Sequence, residues 1–499
     1  MLKPVPAGTT YVVAQQCHYW YIIFSSTSLF CTSNNKLFVN TALEYLRSIL
    51  IEQFYSTSTY FSKALFRKLI NPKIMCQETA MESDGTKAHV WFCEPPTANN
   101  NSASLTDAGV EAIATHKYKP GHYTFFDSFL NPYWTKATEL LPMTLAPNMV
   151  TFIGAMHCAL SFAVTWYYSP NFDKPIPDWA VFLSGFCTIT YYTFDCMDGK
   201  QARRTGASSP LGQLFDHGFD CICNLAHIST FSGYLVIGGT PWIVILQGSV
   251  FFAFFMAQWE EYYTGELPHA MGNFGVTEVN YSLGLLAMMN AFIDREAFWT
   301  GLMKDKVPTR LVEIDGLIPG SILDMEVRYF GMSAWLATSI ILIVGCLYRV
   351  LTHENVTKSR VRLTALSKLL TPGLIAIAPF WLPRNIMNNE TRYISVCNGL
   401  LFSFLTKKMI CFSMAKQTFA SIQIEAIPYW FVFLWIRYDE NITQQGATVL
   451  LGGLCLWHAF RLLSWASSAI DQICKRLDIH CFTIKKKKLD DVDAWKKVN

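Results

Sequence analysis

Four aspartates carry most of the chemistry that this 499-residue sequence offers. They fall in Asp195-Cys-Met-Asp198-Gly199-Lys-Gln-Ala202-Arg203 and, after a further eight residues, in Gly212-Gln-Leu-Phe-Asp216-His217-Gly-Phe-Asp220. Asp195 and Asp198 are three positions apart and Asp216 and Asp220 four, a spacing that puts each pair on one face of its own helix. Gly206, Pro210 and Gly212 are read as a break between those helices, which lets them turn back and bring both pairs into one pocket. Carboxylates gathered in this way repel one another unless cations lie among them. All-oxygen ligation selects a hard divalent ion, Mg²⁺, Mn²⁺ or Ca²⁺, over zinc. Two such ions about 4 Å apart would clamp a phosphoryl group, so the chemistry suggested is phosphoryl transfer. Gly199 and Ala202, one helical turn apart, would clear a lane for a nucleotide, and Arg203 can pair with phosphate or with the acids. Solvated carboxylates at two amphipathic helix ends would explain any two of these residues, but not all the positions together.

The elements that must hold these residues are membrane helices. With 51% of residues hydrophobic and 15% charged, a soluble domain would have too little polar surface to cover its apolar bulk. The 36 Phe, 22 Tyr and 15 Trp fit lipid-facing helices with aromatic belts. A net charge of +3 lacks the basic excess of a nucleic-acid partner, so none is expected. The 15 Cys include no C-x-x-C pair, which argues against a zinc ribbon or a thioredoxin-like centre. The fold class expected is all-α, a polytopic integral membrane protein with about ten transmembrane helices.

Ten stretches approach the roughly 20 apolar residues that a crossing needs. They lie near Met149 to Tyr168, Trp179 to Phe194, Asp220 to Gly239, Pro241 to Gln258 and Val279 to Ile293, then near Tyr329 to Tyr348, Leu369 to Pro383, Tyr393 to Thr406, Ile427 to Ile436 and Thr443 to Phe460. A cytosolic N-terminus puts Lys200, Arg203 and Arg204, then Arg349, Lys358, Arg360 and Arg362, then Lys407 and Lys408, on the cytosolic side, as the bias of Lys and Arg requires. The four acids then also face the cytosol. Residues 1–104 form an extension of unknown role. Tyr11 to Phe30 in it is apolar but interrupted by Gln15, Gln16 and His18, and Pro95 to Ser104 reads as a linker. His157 and His227 have no acid spaced near them and are read as interior groups.

The pattern D-x2-D-G-x2-A-R-x8-G-x3-D-x3-D is met at every fixed position. It resembles the signature of the CDP-alcohol phosphotransferases, integral membrane enzymes of phospholipid synthesis. Within that family the chain is similar to the eukaryotic choline/ethanolamine phosphotransferases from about Leu105 to about Lys485. The similarity runs through Asn131-Pro-Tyr-Trp134, Ala146-Pro-Asn148, Ser209-Pro-Leu-Gly212, Trp259-Glu-Glu-Tyr262 and Val276-Thr-Glu-Val279. The resemblance implies a catalytic unit of six spans over 105–351, a four-span bundle over 352–465, a basic cytosolic tail over 466–499, and a homodimer.

It further implies that Asp195, Asp198, Asp216 and Asp220 hold two Mg²⁺ or Mn²⁺ ions, with Asp220 also counted among the catalytic groups. His217 and Glu278 would help deprotonate the acceptor hydroxyl, and Asn148, Gly199, Ala202, Arg203 and Gly212 would meet the nucleotide. The reaction implied moves phosphoethanolamine or phosphocholine from CDP-ethanolamine or CDP-choline to 1,2-diacylglycerol in the bilayer, releasing CMP. The Trp259 to Tyr262 stretch leans towards ethanolamine and Val276 to Val279 towards dual specificity. The nearest competing readings are a CDP-diacylglycerol-dependent phosphatidyltransferase and, further off, a cation transporter. Lys496-Lys497-Val498-Asn499 looks like a di-lysine address of the endoplasmic reticulum, which leaves Golgi residence open, and Lys485 to Lys488 is a basic run that can equally meet a lipid surface.

Overall fold

The computed structural model describes residues 104–116, 123–235, 237–267, 270–271, 274–312 and 318–485. The Tyr11 to Phe30 segment, the linker up to Ala103 and the terminal Lys496-Lys497 lie outside the described residues. Among the described residues the chain is helical, apart from isolated bridges and one short antiparallel pair, Ala270–Met271 with Phe274–Gly275. The principal helices are α1 (Asp107–Ala114), α2 (Phe125–Glu139), α3 (Pro147–Tyr168), α4 (Asp178–Arg204), α5 (Pro210–Leu235), α6 (Trp242–Thr264) and α7 (Val276–Asn290). They continue as α8 (Val327–Thr352), α9 (Ser359–Ser367), α10 (Leu370–Ile377), α11 (Thr391–Met414), α12 (Ile427–Tyr438) and α13 (Gln444–Leu477).

Each of the ten expected spans falls on one of these helices. Six helical stretches among the described residues are long and apolar enough to cross a membrane: α3, α6, α8, Ser359–Trp381, α11 and α13. The helices α7 and α12 are shorter, at 15 and 12 residues, and α4 and α5 bring the acids into their ends. The protein is therefore a multi-pass, all-α membrane protein.

Two expectations need correction. Lys407 and Lys408, taken as loop cations, lie inside α11, which runs on to Met414. Lys408 is buried, and its ammonium donates to Glu425 at 3.1 Å and Gln423 at 3.0 Å, so it satisfies a buried carboxylate instead of marking a cytosolic loop. The boundary between 465 and 466 falls inside α13, a helix of 34 residues. At 1.5 Å per residue it is roughly 50 Å long, well beyond a hydrocarbon core of about 30 Å.

Packing in the interior fixes the acid-bearing helices. Gly185 on α4 and Gly284 on α7 face each other, and a Cβ added at Gly284 would sit 3.0 Å from the Gly185 carbonyl oxygen. Absent side chains thus let two backbones approach, the close-packing device of membrane helices. Gly284→Ile is expected to cost about 1–3 kcal/mol by overpacking. Thermal unfolding of the detergent-solubilised protein checks it, with the half-exposed Leu285→Ile as a silent control.

Nearly all of α11 is buried, and its polar groups anchor the neighbouring helices. Ser403 donates to the Cys221 carbonyl of α5 at 2.8 Å, and Gln247 of α6 donates to the Ser395 carbonyl at 2.6 Å. Arg392, 1% exposed, donates to the carbonyls of Ser169 and Pro170 and covers the Phe172 ring at 3.7 Å. These bonds tie the far end of α3, the acid-bearing part of α5 and the helix α6 to one post.

Candidate active site

The turn between α4 and α5 follows from its sequence. Gly206 adopts φ +64°, the Ala207 amide donates to the Ala202 carbonyl at 2.9 Å, and the Gly206 amide donates to the Arg203 carbonyl at 3.3 Å. This is the glycine-capped helix end in which a left-handed residue satisfies the last carbonyls. The next helix starts with proline at its first position, where the missing amide costs nothing. Gly212, expected to break the chain, lies instead in the first turn of α5, its amide bonded to the Ser209 carbonyl at 3.0 Å. The break is therefore set by Gly206 and Pro210 alone.

The hairpin brings three of the four acids together, where the spacing predicts all four in one cluster. Single carboxylate oxygens of Asp195, Asp216 and Asp220 all lie within 4.8 Å of one another. Asp198 stands apart from that trio, and its carboxylate accepts a hydrogen bond from the Thr151 hydroxyl of α3. The Tyr191 hydroxyl likewise donates to Asp220. Oδ1 of Asp195 and Oδ1 of Asp216 are buried without a hydrogen-bond partner. Buried, unpaired carboxylate oxygens converging in this way, in an all-oxygen donor set, suit a hard divalent cation.

A cavity of about 400 Å³ adjoins the cluster. Asp198, Asp216 and His217 line it on the acidic side, with Asn148, Gly199, Ala202, Arg203 and Gly212 around them. Every residue expected to meet the nucleotide is thus on one wall or another of the same space. His217 Nε2 is 3.8 Å from Asp216 Oδ2. Glu278 is placed differently. Its Oε2 accepts the Gly275 amide at 2.7 Å and caps α7, Oε1 is buried without a partner, and the residue does not line the cavity. His157 and His227 do not line it either: they contact the Ile153 carbonyl and the Cys158 sulfur.

The Trp259-Glu-Glu-Tyr262 stretch serves interhelical contacts. Trp259 donates to the Ala365 carbonyl at 3.0 Å, Tyr262 to the Gln417 carbonyl at 3.0 Å, and Glu260 accepts two bonds from Arg349 at 2.5 and 2.8 Å. None of these three lines the cavity.

Sequence reasoning missed the cavity's other wall, made by His116 and by Ile479 to Lys485 beyond α13. No spacing in Ile479-His-Cys-Phe-Thr-Ile484 signals a site, and only the excess length of α13 hints that the chain beyond it approaches the acids. Burial lowers the pKa of the His116 imidazole, and Lys416 acts in the same direction. A hydrogen bond from Lys485 holds the Asp478 carboxyl below the usual carboxylate range.

Comparison with known proteins adds an independent line. Residues 144–307 match the family model described as CDP-alcohol phosphatidyltransferase, a span that contains all four aspartates. An uncharacterized CDP-alcohol phosphatidyltransferase class-I family protein 3 of Dictyostelium discoideum is 29% identical over 411 residues, covering 77% of this chain and 99% of that one. Choline/ethanolaminephosphotransferase 1 of Arabidopsis thaliana is 27% identical over 76% of this chain and 98% of its own. Ethanolaminephosphotransferase 1 of Homo sapiens is 24% identical over 74% and 91%.

Proposed function

We propose that this chain transfers phosphoethanolamine or phosphocholine from the CDP-alcohol to 1,2-diacylglycerol, releasing CMP, because residues 144–307 match the CDP-alcohol phosphatidyltransferase family model within a multi-pass membrane protein. The observation that carries the proposal is the convergence of Asp195, Asp216 and Asp220 within 4.8 Å beside a cavity that Asp198, Arg203 and Asn148 also line. The relatives named choline/ethanolaminephosphotransferase and ethanolaminephosphotransferase supply the donor class. The same proposal carries ten crossings, a homodimer, residence in the endoplasmic reticulum or Golgi membrane, and a cavity facing the cytosol.

In this mechanism the four aspartates would hold divalent Mg²⁺ or Mn²⁺. When bound, such ions supply Lewis-acid polarisation of the donor diphosphate and charge for the departing CMP. Thr151 and Tyr191 each engage an acid, Asp198 and Asp220, and fix its orientation. Arg203 presents a guanidinium to phosphate oxygens, and Gly199 and Ala202 let the donor approach the backbone. The diacylglycerol hydroxyl oxygen attacks the phosphorus that carries the headgroup alcohol. The bond from that phosphorus to the bridging oxygen breaks, and CMP leaves with the electron pair. His217 takes the hydroxyl proton on its imidazole nitrogen.

His217 is better supported as the base than Glu278, since it lines the cavity whereas Glu278 caps a helix. His217→Gln is expected to lower kcat by about 10²–10⁴-fold, and Glu278→Gln, which keeps an acceptor for the Gly275 amide, by less than about tenfold, within the range of a weakened cap. Steady-state assays in nanodiscs check the contrast.

The function itself is tested with purified protein in nanodiscs containing diacylglycerol and Mg²⁺. Labelled CDP-ethanolamine and CDP-choline are offered separately, and a third reaction receives CDP-diacylglycerol with inositol or glycerol phosphate. Formation of phosphatidylethanolamine or phosphatidylcholine is expected. Product only in the third reaction would replace the proposal with a phosphatidyltransferase.

A further inference from the structure

The cavity is only half built from the acid-bearing hairpin. Its other wall is the segment that follows α13, and that segment is fastened in place at several points. Asp478, at φ +52°, turns the chain sharply out of α13, and the Ile479 amide donates to the Cys474 carbonyl at 3.1 Å. Thr483 forms a bridge with Leu145, next to the start of α3. The Asn148 side chain donates to the Cys481 carbonyl at 2.9 Å. The Phe482 ring packs edge-on against Phe215 at 5.4 Å and Phe152 at 6.1 Å, one ring from each of the two helices α5 and α3. Lys485 reaches back to Asp478 at 2.5 Å and closes the segment into a loop. The base of this loop is steadied by Arg476, which grips Glu111 of α1 with two bonds at 2.6 and 2.8 Å.

We propose that residues 479–485 are a strap that completes the donor site and holds the nucleoside diphosphate against the acid-bearing hairpin. The inference rests on the function proposed above and deepens it. Three features point to this ligand. The strap faces Asp198 and Asp216 across one cavity of about 400 Å³, a volume on the scale of a small-molecule site. Lys485 and Arg203 bring positive charge to a cavity whose other charged groups are Asp198 and Asp216, so an elongated polyanion bridged by cations finds complementary charge on both sides. Asn148, on the wall expected to meet the nucleotide, is already bonded to the strap backbone. Phe482 is the pin. Its neighbour Phe215 directly precedes Asp216, so strap and acid are set by the same helix turn.

The strap acts on donor binding and not on the chemical step. Phe482→Ala is expected to raise KM for the CDP-alcohol about tenfold, with kcat within twofold and KM for diacylglycerol unchanged, whereas Phe482→Leu keeps an apolar pin and stays near wild type. A second measurement needs no variant. Alkylation of Cys481 in the full-length protein, followed by mass spectrometry of its peptide, is expected to slow at least fivefold when CMP with Mg²⁺ is added. A wild-type chain inactive with both CDP-alcohols would overturn the proposed function. An active wild type in which Phe482→Ala leaves donor KM unchanged, or in which CMP leaves Cys481 alkylation unchanged, would overturn the strap alone.

Discussion

Asp216→Ala lowers turnover with either CDP-alcohol by about a thousandfold or more while the protein still inserts and purifies as the wild type does. The size follows from what is lost. A ligand position that stabilises charge in the transition state is worth several kcal/mol, and about 4 kcal/mol corresponds to roughly a thousandfold in rate. Asp216 is central in the geometry, since it belongs to the trio within 4.8 Å and also lines the cavity. The folded state should respond in the opposite direction. Removing one of several partly buried carboxylates relieves repulsion in metal-free protein, so the variant is expected to unfold no earlier than wild type in a chelator. Activity within tenfold of wild type would remove Asp216 from the ligand set.

Withdrawal of divalent cations gives the second large effect. Treatment with EDTA is expected to abolish transfer, and Mg²⁺ or Mn²⁺ to restore it, because the donor set is made of carboxylate oxygens alone. The same cations should raise the thermal midpoint of the wild type. A ligand at a hundred times its Kd stabilises by about 2.7 kcal/mol, and the gain should vanish in Asp216→Ala. Full activity in EDTA would place the acids outside the chemistry.

Local spacing makes the hairpin legible in the sequence alone. The three- and four-residue intervals fix which faces the acids occupy, and Gly206 with Pro210 fixes where the chain turns; these are near-neighbour rules that a sequence carries directly. Gly212 does not break the chain because a glycine signals a break only where its backbone needs a left-handed conformation, and here its amide is simply bonded within the first turn of α5. Lys408 departs from the expectation for a related reason. A lysine near a span end marks the cytosol only if no buried carboxylate claims it, and Glu425, seventeen positions on, does so. The strap was invisible because its contacts with Leu145, Asn148, Phe152 and Phe215 cross more than 250 residues and have no periodicity. Glu278 shows the limit of a matched motif, since the resemblance implies a role in deprotonation while the side chain accepts the Gly275 amide, caps α7 and does not line the cavity.

Binding of Mn²⁺ to the purified protein, followed by electron paramagnetic resonance, addresses the central claim without relying on turnover. The account predicts saturable Mn²⁺ binding that tightens when CMP is added and is lost in Asp195→Asn and Asp216→Asn. Mn²⁺ that binds no better to the wild type than to those variants, and is indifferent to the nucleotide, would contradict it.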